Sequence, residues 1–545
     1  MTRAARALVG LAALGVVLGP LAAQELPTAK VARSRTGMVS SGSAQATAAG
    51  VWALSQGGNA ADAAAAAAFA LMVTDPANTS IGGRVQLLFR GADGALVPID
   101  GATQVPRRVP PRTDPTRDRH GFATVPVPGA VAAIGRLVSQ HGRLTLAQVL
   151  TPAIGLARDG YIVPPRLAGT WAAVAPALRR DPGTARHYLK PDGSPYLAGD
   201  RFVQPALAHL LTLIADSGTA VFYRGHAAAT VAAEIRDGGG YADAADFASY
   251  RADDGVLVRT PYRGREVLSA GGRAWGNTLA ELLNIRAEFP VDTAPASARE
   301  VELLARIIAQ AIADRPQEVG SLAPKAGGFS LDQLSSREFG RRRAAEIRTA
   351  MSAGTLPSGA EETEDHDTSH LSVVDAEGNA VALTTSIGPS FGSRVASPAY
   401  GMLFAHSYRM RAEPVPGERD LTEMTPTIVL RDGRPELVLG GAGSERIPTA
   451  VFQVLSNVVD RGWDLERAMA APRLFALGHQ VRLHDWFSPA LADSIRARGF
   501  EVEWVPLGAS PHLGLVHAVW FDARSGTFVG VADAGDSGTA AGVRR

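Results

Sequence analysis

Three pairs of short β-rich segments in the last third of the chain constrain its fold more than any other feature. Each pair flanks a turn that contains glycine, and helical stretches at 448–461 and 489–498 lie between the second pair and the third. Strand pairs alternating with helices predict antiparallel sheets covered by helices, an α+β sandwich. The paired segments are 371–375 with 380–387, 427–430 with 436–439, and 516–521 with 527–531.

The earlier part of the chain is mostly helical in pattern. An alanine-rich segment at 43–73 predicts one helix or two abutting helices, with a break at Asp62 and close packing against another layer. Residues 85–99 predict a hairpin that turns at 92–94. Most segments between 144 and 348 have helical periodicity. No repeat or long linker divides the chain, which favours one packed body over separable domains.

Charge and cysteine content exclude several classes of function. The 545 residues include 54 basic and 53 acidic side chains, so no net field directs the chain to nucleic acid or to an anionic membrane. Cysteine is absent, which excludes disulfides, thiol chemistry and cysteine-based metal sites. We expect neither a metal nor a cofactor.

The N-terminus has the composition of a secretory signal peptide. Arg3 and Arg6 precede an apolar run at 7–21, and Ala22, Ala23 and Gln24 follow as a small-residue cleavage site. A membrane span needs about 20 apolar residues, more than this run supplies. An uncleaved anchor is the alternative. We therefore predict a signal peptide at 1–23 and a periplasmic or secreted protein that has no membrane attachment once the peptide is removed.

An acidic segment at 361–367 lies between the helical part and the β-rich part. Five acids and a histidine in seven residues are compatible with a cation site, but a solvated loop is the favoured interpretation. A flexible loop directly before a strand is a suitable place for a chain break.

Thr368 follows this loop and opens the first β-rich segment. A threonine at a new N-terminus can use its own α-amino group as general base, because that amine has a pKa of about 7.7–8.0. The glycine-rich turn 440–444, between a strand and a helix, is a candidate source of oxyanion donors. A structural Thr-Ser strand start is the alternative. A triad of Ser369, His370 and Asp375 is disfavoured, since adjacent strand residues point to opposite faces.

Numerous motifs, in order from about residue 37 to 535, give the chain a wider resemblance. They are GGNAADA at 57–63, ANTSIGG at 77–83, VPGAV at 127–131, LARDG at 156–160, FYRG at 222–225, TSHLSVVD at 368–375, GNAVA at 378–382, MTPTIV at 424–429 and GSERI at 443–447. The chain resembles the γ-glutamyltranspeptidase family of N-terminal-nucleophile hydrolases. This resemblance implies a four-layer αββα sandwich and self-cleavage between Asp367 and Thr368. It also implies a mostly helical large subunit with outer strands, 24–367, and a small subunit with the nucleophile and central sheet, 368–545, forming one body.

The resemblance assigns site residues as well. It makes Thr368 the nucleophile, and it puts Ser386 where the family has a threonine that supports the nucleophile. Gly443 and Ser444 fall at the oxyanion pair, where the family has two glycines. Thr422 and Glu423 align with two serines that contact the substrate α-carboxylate.

Several departures concern the acyl donor. Ala102 stands where the family has an arginine, Arg409 and Met410 replace two aspartates, and Gly388 replaces an asparagine. Since a zwitterionic end group is costly to bury unpaired, a glutathione-type donor is expected to bind poorly. A relocated cation is available from Arg84, Arg107 or Arg409, and Arg84 is named as a substrate-binding residue.

The segment 408–420 is too short to form the lid of many family members, and an open, wet site favours hydrolysis over transfer to an amine. The sequence thus predicts a self-processing enzyme that cleaves a small γ-glutamyl or related acyl amide, with water or an amine as acceptor. An N-acyl amide hydrolase of the β-lactam-acylase type and a catalytically inactive exported binding protein are the alternatives.

Overall fold

The computed structural model of the chain describes residues 30–114, 119–292, 297–315, 328–358, 367–407, 413–506 and 513–543. The predicted signal peptide, the acidic residues before Asp367, and both Arg409 and Met410 lie outside these ranges.

The described residues form nineteen strands, most of them in two large antiparallel sheets. In chain order they are β1 Val31–Ser34, β2 Gly37–Ser41, β3 Arg84–Arg90, β4 Leu96–Gly101, β5 Tyr161–Ile162, β6 Arg201–Phe202, β7 Asp253–Asp254, β8 Val256–Tyr262, β9 Arg265–Gly271, β10 Asp367–Asp375, β11 Ala380–Gly388, β12 Thr427–Arg431, β13 Arg434–Ala442, β14 Leu474–Leu477, β15 Gln480–His484, β16 Glu501–Val505, β17 Leu515–Asp522, β18 Thr527–Ala532 and β19 Thr539–Gly542.

Seventeen α-helices accompany these strands within the described ranges. They are α1 Ala44–Ser55, α2 Ala60–Thr74, α3 Ala130–His141, α4 Leu146–Asp159, α5 Pro165–Leu178, α6 Pro182–Tyr188, α7 Pro205–Ser217, α8 Ala220–Arg224, α9 His226–Asp237, α10 Ala244–Ser249, α11 Gly276–Ala287, α12 Ala298–Asp314, α13 Leu331–Leu334, α14 Arg337–Ala353, α15 Arg446–Arg461, α16 Leu465–Ala470 and α17 Pro489–Arg496. No helix of the described residues has the length and apolarity needed to cross a membrane.

The two large sheets have seven strands each. One has the order β19-β2-β10-β11-β3-β4-β7, and the other has the order β1-β18-β17-β13-β12-β9-β8. Each sheet contains strands from both sides of the Asp367–Thr368 bond, and β2 and β3 pair directly with the hairpin β10–β11. The two parts of the chain therefore share both sheets.

Helices cover the outer face of each sheet. α2 packs on β10 and β11, whereas α11 and α15 pack on the second sheet. A third apolar core lies between the sheets and contains Met38, Leu268, Ala382, Ile428 and Val438. The layers are helix, sheet, sheet and helix, which confirms the predicted four-layer αββα sandwich. A separate sheet of β14, β15 and β16 lies outside it.

The alanine-rich segment forms two helices, but the predicted break at Asp62 is wrong. The first helix ends at Ser55, and Asn59 caps the second through the N–H groups of Ala61 and Asp62. The Asp62 carboxylate accepts in return from the Asn59 N–H, so Asp62 completes a capping box inside the helix. All fifteen residues of α2 are buried, as expected for close packing.

The hairpin β3–β4 and the three strand pairs of the last third are confirmed. The hairpin β8–β9 was missed, because its residues lie within the stretch of helical periodicity.

Candidate active site

Thr368 is the second residue of β10 and is buried. Asp367 pairs with Gly388 and Ser369 pairs with Thr385, so a β-bulge leaves both Ser386 and Ile387 opposite Thr368. The bulge brings the predicted nucleophile and the predicted supporting hydroxyl next to each other. Ser386 also accepts a hydrogen bond from the Gly388 N–H, at 2.9 Å from its Oγ.

Thr368 and Ser386 face the second sheet. His370 and Thr384 form a register pair whose side chains meet at 2.8 Å. The His370 ring points across the sandwich, since a Cβ added at Gly440 of β13 would lie 2.4 Å from its Cε1. Residues two apart on a strand share a face, so Thr368 and Ser386 lie on this same inner face.

The end of β13 lies at the same end of the sandwich as Thr368. At the opposite end, Arg90 pairs with Ala380 at the start of β11, and its Nη2 donates to the Gly433 carbonyl at the turn before β13. The start of β11 and the start of β13 therefore coincide. The other end of the sandwich brings together Thr368 and the residues after β13, which begin with Gly443.

Gly443 and Ser444 have the backbone geometry of a tight turn before α15. Gly443 has φ 124° and Ser444 has φ 54°, a left-handed conformation that favours glycine. Among the described residues, no hydrogen bond uses the N–H of either residue. The first turn of α15 adds positive potential at this point. Two adjacent free N–H groups are what an oxyanion site requires.

Arg84 is a buried cation beside this end of the sheet. It pairs with Ser386 in the strand register, and its Nη2 lies 3.4 Å from the position that a Cβ would take at Gly388. Its Nε has no hydrogen-bond partner, and no described carboxylate forms an ion pair with it. A buried guanidinium without an anion is costly unless a ligand supplies one.

Thr422 and Glu423 belong to a segment that is hydrogen-bonded to 273–275. The Thr422 N–H donates to the Arg273 carbonyl at 2.8 Å, and the Trp275 N–H donates to the Met424 carbonyl at 3.0 Å. Thr422 is buried, and Glu423 is half-buried between these two bonds.

Arg315 is a cation near this segment that the sequence did not single out. Its guanidinium stacks on Trp275 at 4.4 Å and donates to the Thr278 hydroxyl at 3.2 Å. Burial lowers the pKa of Arg315 to about 9, while the Glu423 and Glu281 carboxylates oppose this shift. Glu423 is therefore close enough to offset the charge of Arg315, and its own charge is offset in turn.

The shortened segment after residue 412 packs against the strand end that carries Ala102. Val105 N–H donates to the Glu418 carbonyl, and the Thr103 hydroxyl donates to Asp420 at 2.6 Å. Arg419 stacks on the Tyr250 ring at 3.9 Å and donates to the Ala102 carbonyl at 3.1 Å. These contacts hold residues 413–420 on the body of the protein.

Some candidates do not join the site. Arg107 is exposed, and its N–H donates to Asp246, so it is no relocated cation. The alternative triad is excluded: His370 bonds to Thr384 and Ser372, while the Asp375 carboxylate accepts from the Ala60 and Asn379 N–H groups at the start of α2 and in the β10–β11 turn.

Comparisons with known proteins identify one family, and its match includes every candidate site residue. Residues 46–543 match the family model described as Gamma-glutamyltranspeptidase. The chain is 33% identical over 527 residues to the Acylase ACY 1 proenzyme of Pseudomonas sp. strain SE83, covering 92% of this chain and 93% of that one. It is 30% identical to the Glutathione hydrolase proenzyme of Escherichia coli K12, covering 86% of both.

The crystal structure of cephalosporin acylase from Bacillus halodurans superposes with a TM-score of 0.85 at 26% identity, covering 94% of this chain and 97% of that chain. The family match covers most of the sequence, and the αββα fold agrees with it. The chain is an enzyme of the γ-glutamyltranspeptidase family of N-terminal-nucleophile hydrolases.

Proposed function

We propose that this enzyme cuts itself between Asp367 and Thr368 and then hydrolyses an acyl amide through an acyl-Thr368 intermediate. The observation that carries the proposal is the position of Thr368 on the inner face of β10, opposite Ser386, at the sandwich end that also holds Gly443. The cut gives a large subunit, 24–367, and a small subunit, 368–545, which remain one body because each sheet contains strands of both subunits.

Each step has a group available. The freed α-amine of Thr368 takes the proton of its own hydroxyl, whose Oγ attacks the substrate carbonyl carbon. The N–H groups of Gly443 and Ser444 stabilise the oxyanion. The amine leaves with the proton, and water then attacks the ester to release the acid and regenerate Thr368. Ser386 donates a hydrogen bond that holds the Thr368 hydroxyl in place.

Arg84 binds a carboxylate of the acyl group. Arg84 is buried beside Ser386 and Gly388, and none of the described carboxylates pairs with it. This supports the role, since a bound carboxylate would remove the cost of the unpaired charge. It replaces the family arginine that is Ala102 in this chain. Thr422 and Glu423 form another wall, in which Arg315 offsets the Glu423 charge.

An acylase of the β-lactam type is the second candidate. The similarity to the ACY 1 proenzyme and to cephalosporin acylase favours it. So does Met410, in place of an acid that would bind an α-ammonium. Both candidates share a carboxylate-bearing acyl donor and differ in the need for an ammonium group.

Hydrolysis exceeds transfer to an amine acceptor. The contacts that hold residues 413–420 on the strand end at 102–105 support this, because a segment fixed on the body of the protein is not free to close over the acyl-enzyme. Export of the precursor by its signal peptide places the mature enzyme in the periplasm or outside the cell.

Denaturing electrophoresis with intact mass measurement tests the proposal. The wild type should give two fragments that begin near residue 24 and at Thr368, and Thr368→Ala should give one full-length chain. Thr368→Ser is the matched control, since it keeps a hydroxyl and should still cleave. An uncut wild type would refute self-processing. A cut chain without Thr368-dependent amide turnover would instead support the inactive binding protein.

A further inference from the structure

A chain of buried hydrogen bonds surrounds the ring of His370, two residues after Thr368. The ring is fully buried. Its Nδ1 lies 2.8 Å from the Thr384 hydroxyl, and its Nε2 lies 3.0 Å from the Ser372 hydroxyl. Ser372 Oγ in turn donates to the His517 carbonyl of β17, at 3.0 Å. The ring therefore links two strands of the first sheet to a strand of the second.

Counting hydrogens assigns the tautomer of this ring. Ser372 has one hydroxyl hydrogen, which it donates to the His517 carbonyl, so it accepts from Nε2–H of His370. Burial lowers the pKa of His370 well below its usual value, which keeps the ring neutral. A neutral ring with Nε2–H leaves Nδ1 as an acceptor for the Thr384 hydroxyl. Each polar atom of the ring then has one defined partner.

The same ring is the contact between β10 and β13. A Cβ at Gly440 would lie 2.4 Å from Cε1, 2.6 Å from Nδ1 and 2.9 Å from Nε2 of His370, so only glycine fits there. Gly440 lies three residues before Gly443, and Thr384 lies two residues before Ser386. The ring is thus next to the strands that carry the nucleophile, its supporting hydroxyl and the oxyanion donors.

The group that faces this cluster from the C-terminal strands is also paired. His517 Nε2 lies 2.9 Å from Asp536 Oδ2, and Lys30 Nζ donates to the Asp536 carbonyl at 2.7 Å. The cluster is therefore anchored on its far side by an ion-paired loop. We expect a displacement of His370 to move β10 and β13, because these contacts hold the other side of the cluster in place.

We propose that His370 is a positioning residue, which sets the distance between Thr368 on β10 and the N–H groups of Gly443 and Ser444 after β13. It acts through hydrogen bonds to Thr384 and Ser372 and through contact with Gly440, and it takes no proton from the substrate. This role rests on the function proposed above. It predicts that the chemical step depends on the ring while substrate binding does not.

Two variants test the ring, one by removing it and the other by displacing it. His370→Gln keeps a donor toward Ser372 and loses the ring, and Gly440→Ala pushes the ring with its added methyl group. The controls are His484→Gln, a buried histidine in the separate sheet of β14–β16, and Gly155→Ala, at a helical glycine with open space around it. Wild type and Thr368→Ala are measured alongside, and turnover is expressed per mole of cleaved chain.

In both test variants kcat should fall by about a hundredfold, which is the effect of displacing reacting groups by about 1 Å. KM should stay within about twofold, and the pH profile of kcat/KM should keep its apparent pKa values. Both controls should keep the wild-type kcat.

A kcat near wild type in His370→Gln, while Thr368→Ala is inactive, would overturn the role of His370 and leave the proposed function standing. An acid limb shifted in His370→Gln would also overturn it, since that result makes the ring a proton acceptor. A wild type without Thr368-dependent turnover would overturn the proposed function, and the inference with it.

Discussion

Replacing Arg84 with methionine should separate acyl recognition from stability. Arg84 is 6% exposed and its Nε has no hydrogen-bond partner among the described residues, so the free enzyme bears the cost of an unpaired buried charge. Methionine has a similar length and removes that charge. An unsatisfied buried polar group costs about 1–3 kcal/mol, and the loss of some packing offsets part of the gain. We expect Arg84→Met to raise the free energy of unfolding by about 1 kcal/mol.

The same change should weaken catalysis on one class of donor only. Truncating one partner of a buried charge pair costs about 2–5 kcal/mol. A loss of about 3 kcal/mol corresponds to a decrease of about 150-fold in kcat/KM. This decrease should affect an acyl anilide that carries a terminal carboxylate, such as the γ-glutamyl compound. A plain alkanoyl anilide makes no contact with the guanidinium and should react as with wild type.

The assay compares kcat/KM for these two anilides and the urea midpoint of unfolding. Arg90→Met is the matched control: Arg90 lies on the same strand, is also buried, and donates to the Gly433 carbonyl at the other end of the sandwich. It should lose about 1 kcal/mol of stability and discriminate between the donors as wild type does. An equal loss on both donors in Arg84→Met, or a carboxylate donor that reacts normally, would refute the reasoning.

Three further changes test other parts of the site and fold. Ser444→Gly relieves a left-handed φ and removes a hydroxyl that has no hydrogen-bond partner among the described residues. The free energy of unfolding should therefore rise by about 1 kcal/mol, and kcat should be retained. A lower urea midpoint would contradict this. Glu423→Gln removes the carboxylate that offsets the Arg315 charge. The ratio of kcat/KM for a carboxylate donor to that for a plain donor should then rise about fivefold, from a Coulomb change of about 1 kcal/mol. An unchanged ratio would count against the interaction of Glu423 with Arg315. Burial lowers the pKa of His484 to about 4. The unfolded chain thus binds the extra proton between pH 6.5 and about 4, and stability from this residue falls as the pH drops through that window, by up to about 3 kcal/mol. Urea midpoints of His484→Gln should vary less with pH there, and parallel curves would exclude the effect.

The sequence was sufficient for the features that are local. Strand-forming segments on either side of a glycine-containing turn identified the hairpins β3–β4, β10–β11, β12–β13 and β17–β18, because strand and turn propensities belong to consecutive residues. The capping residues of α2 are present in the sequence, yet the break between the two helices was predicted at Asp62 and not at the residues before Asn59. A capping box and a helix break contain the same residue types, and only the backbone distinguishes them.

Those parts of the candidate site that lie in or beside a recognisable sequence motif were predictable. Thr368, Ser386 and the turn at Gly443 were predicted as site residues from sequence motifs, and the structure brings all three to one end of the sandwich. The hairpin β8–β9 was not predictable, since its strands lie within a long helical stretch and join the sheet through the pairing of β9 with β12.

Charges were the part that tertiary structure alone decided. Arg84 forms no ion pair with a described residue, Arg107 is on the surface, and Arg315 offsets Glu423 although it lies 108 residues away in sequence. A charged residue looks the same in a sequence whether it is solvated, paired or buried alone. Its partner depends on which strands and helices pack together. The sequence by itself therefore determined the fold class and predicted Thr368 as the nucleophile, whereas the packing decided which cation is buried beside the predicted site.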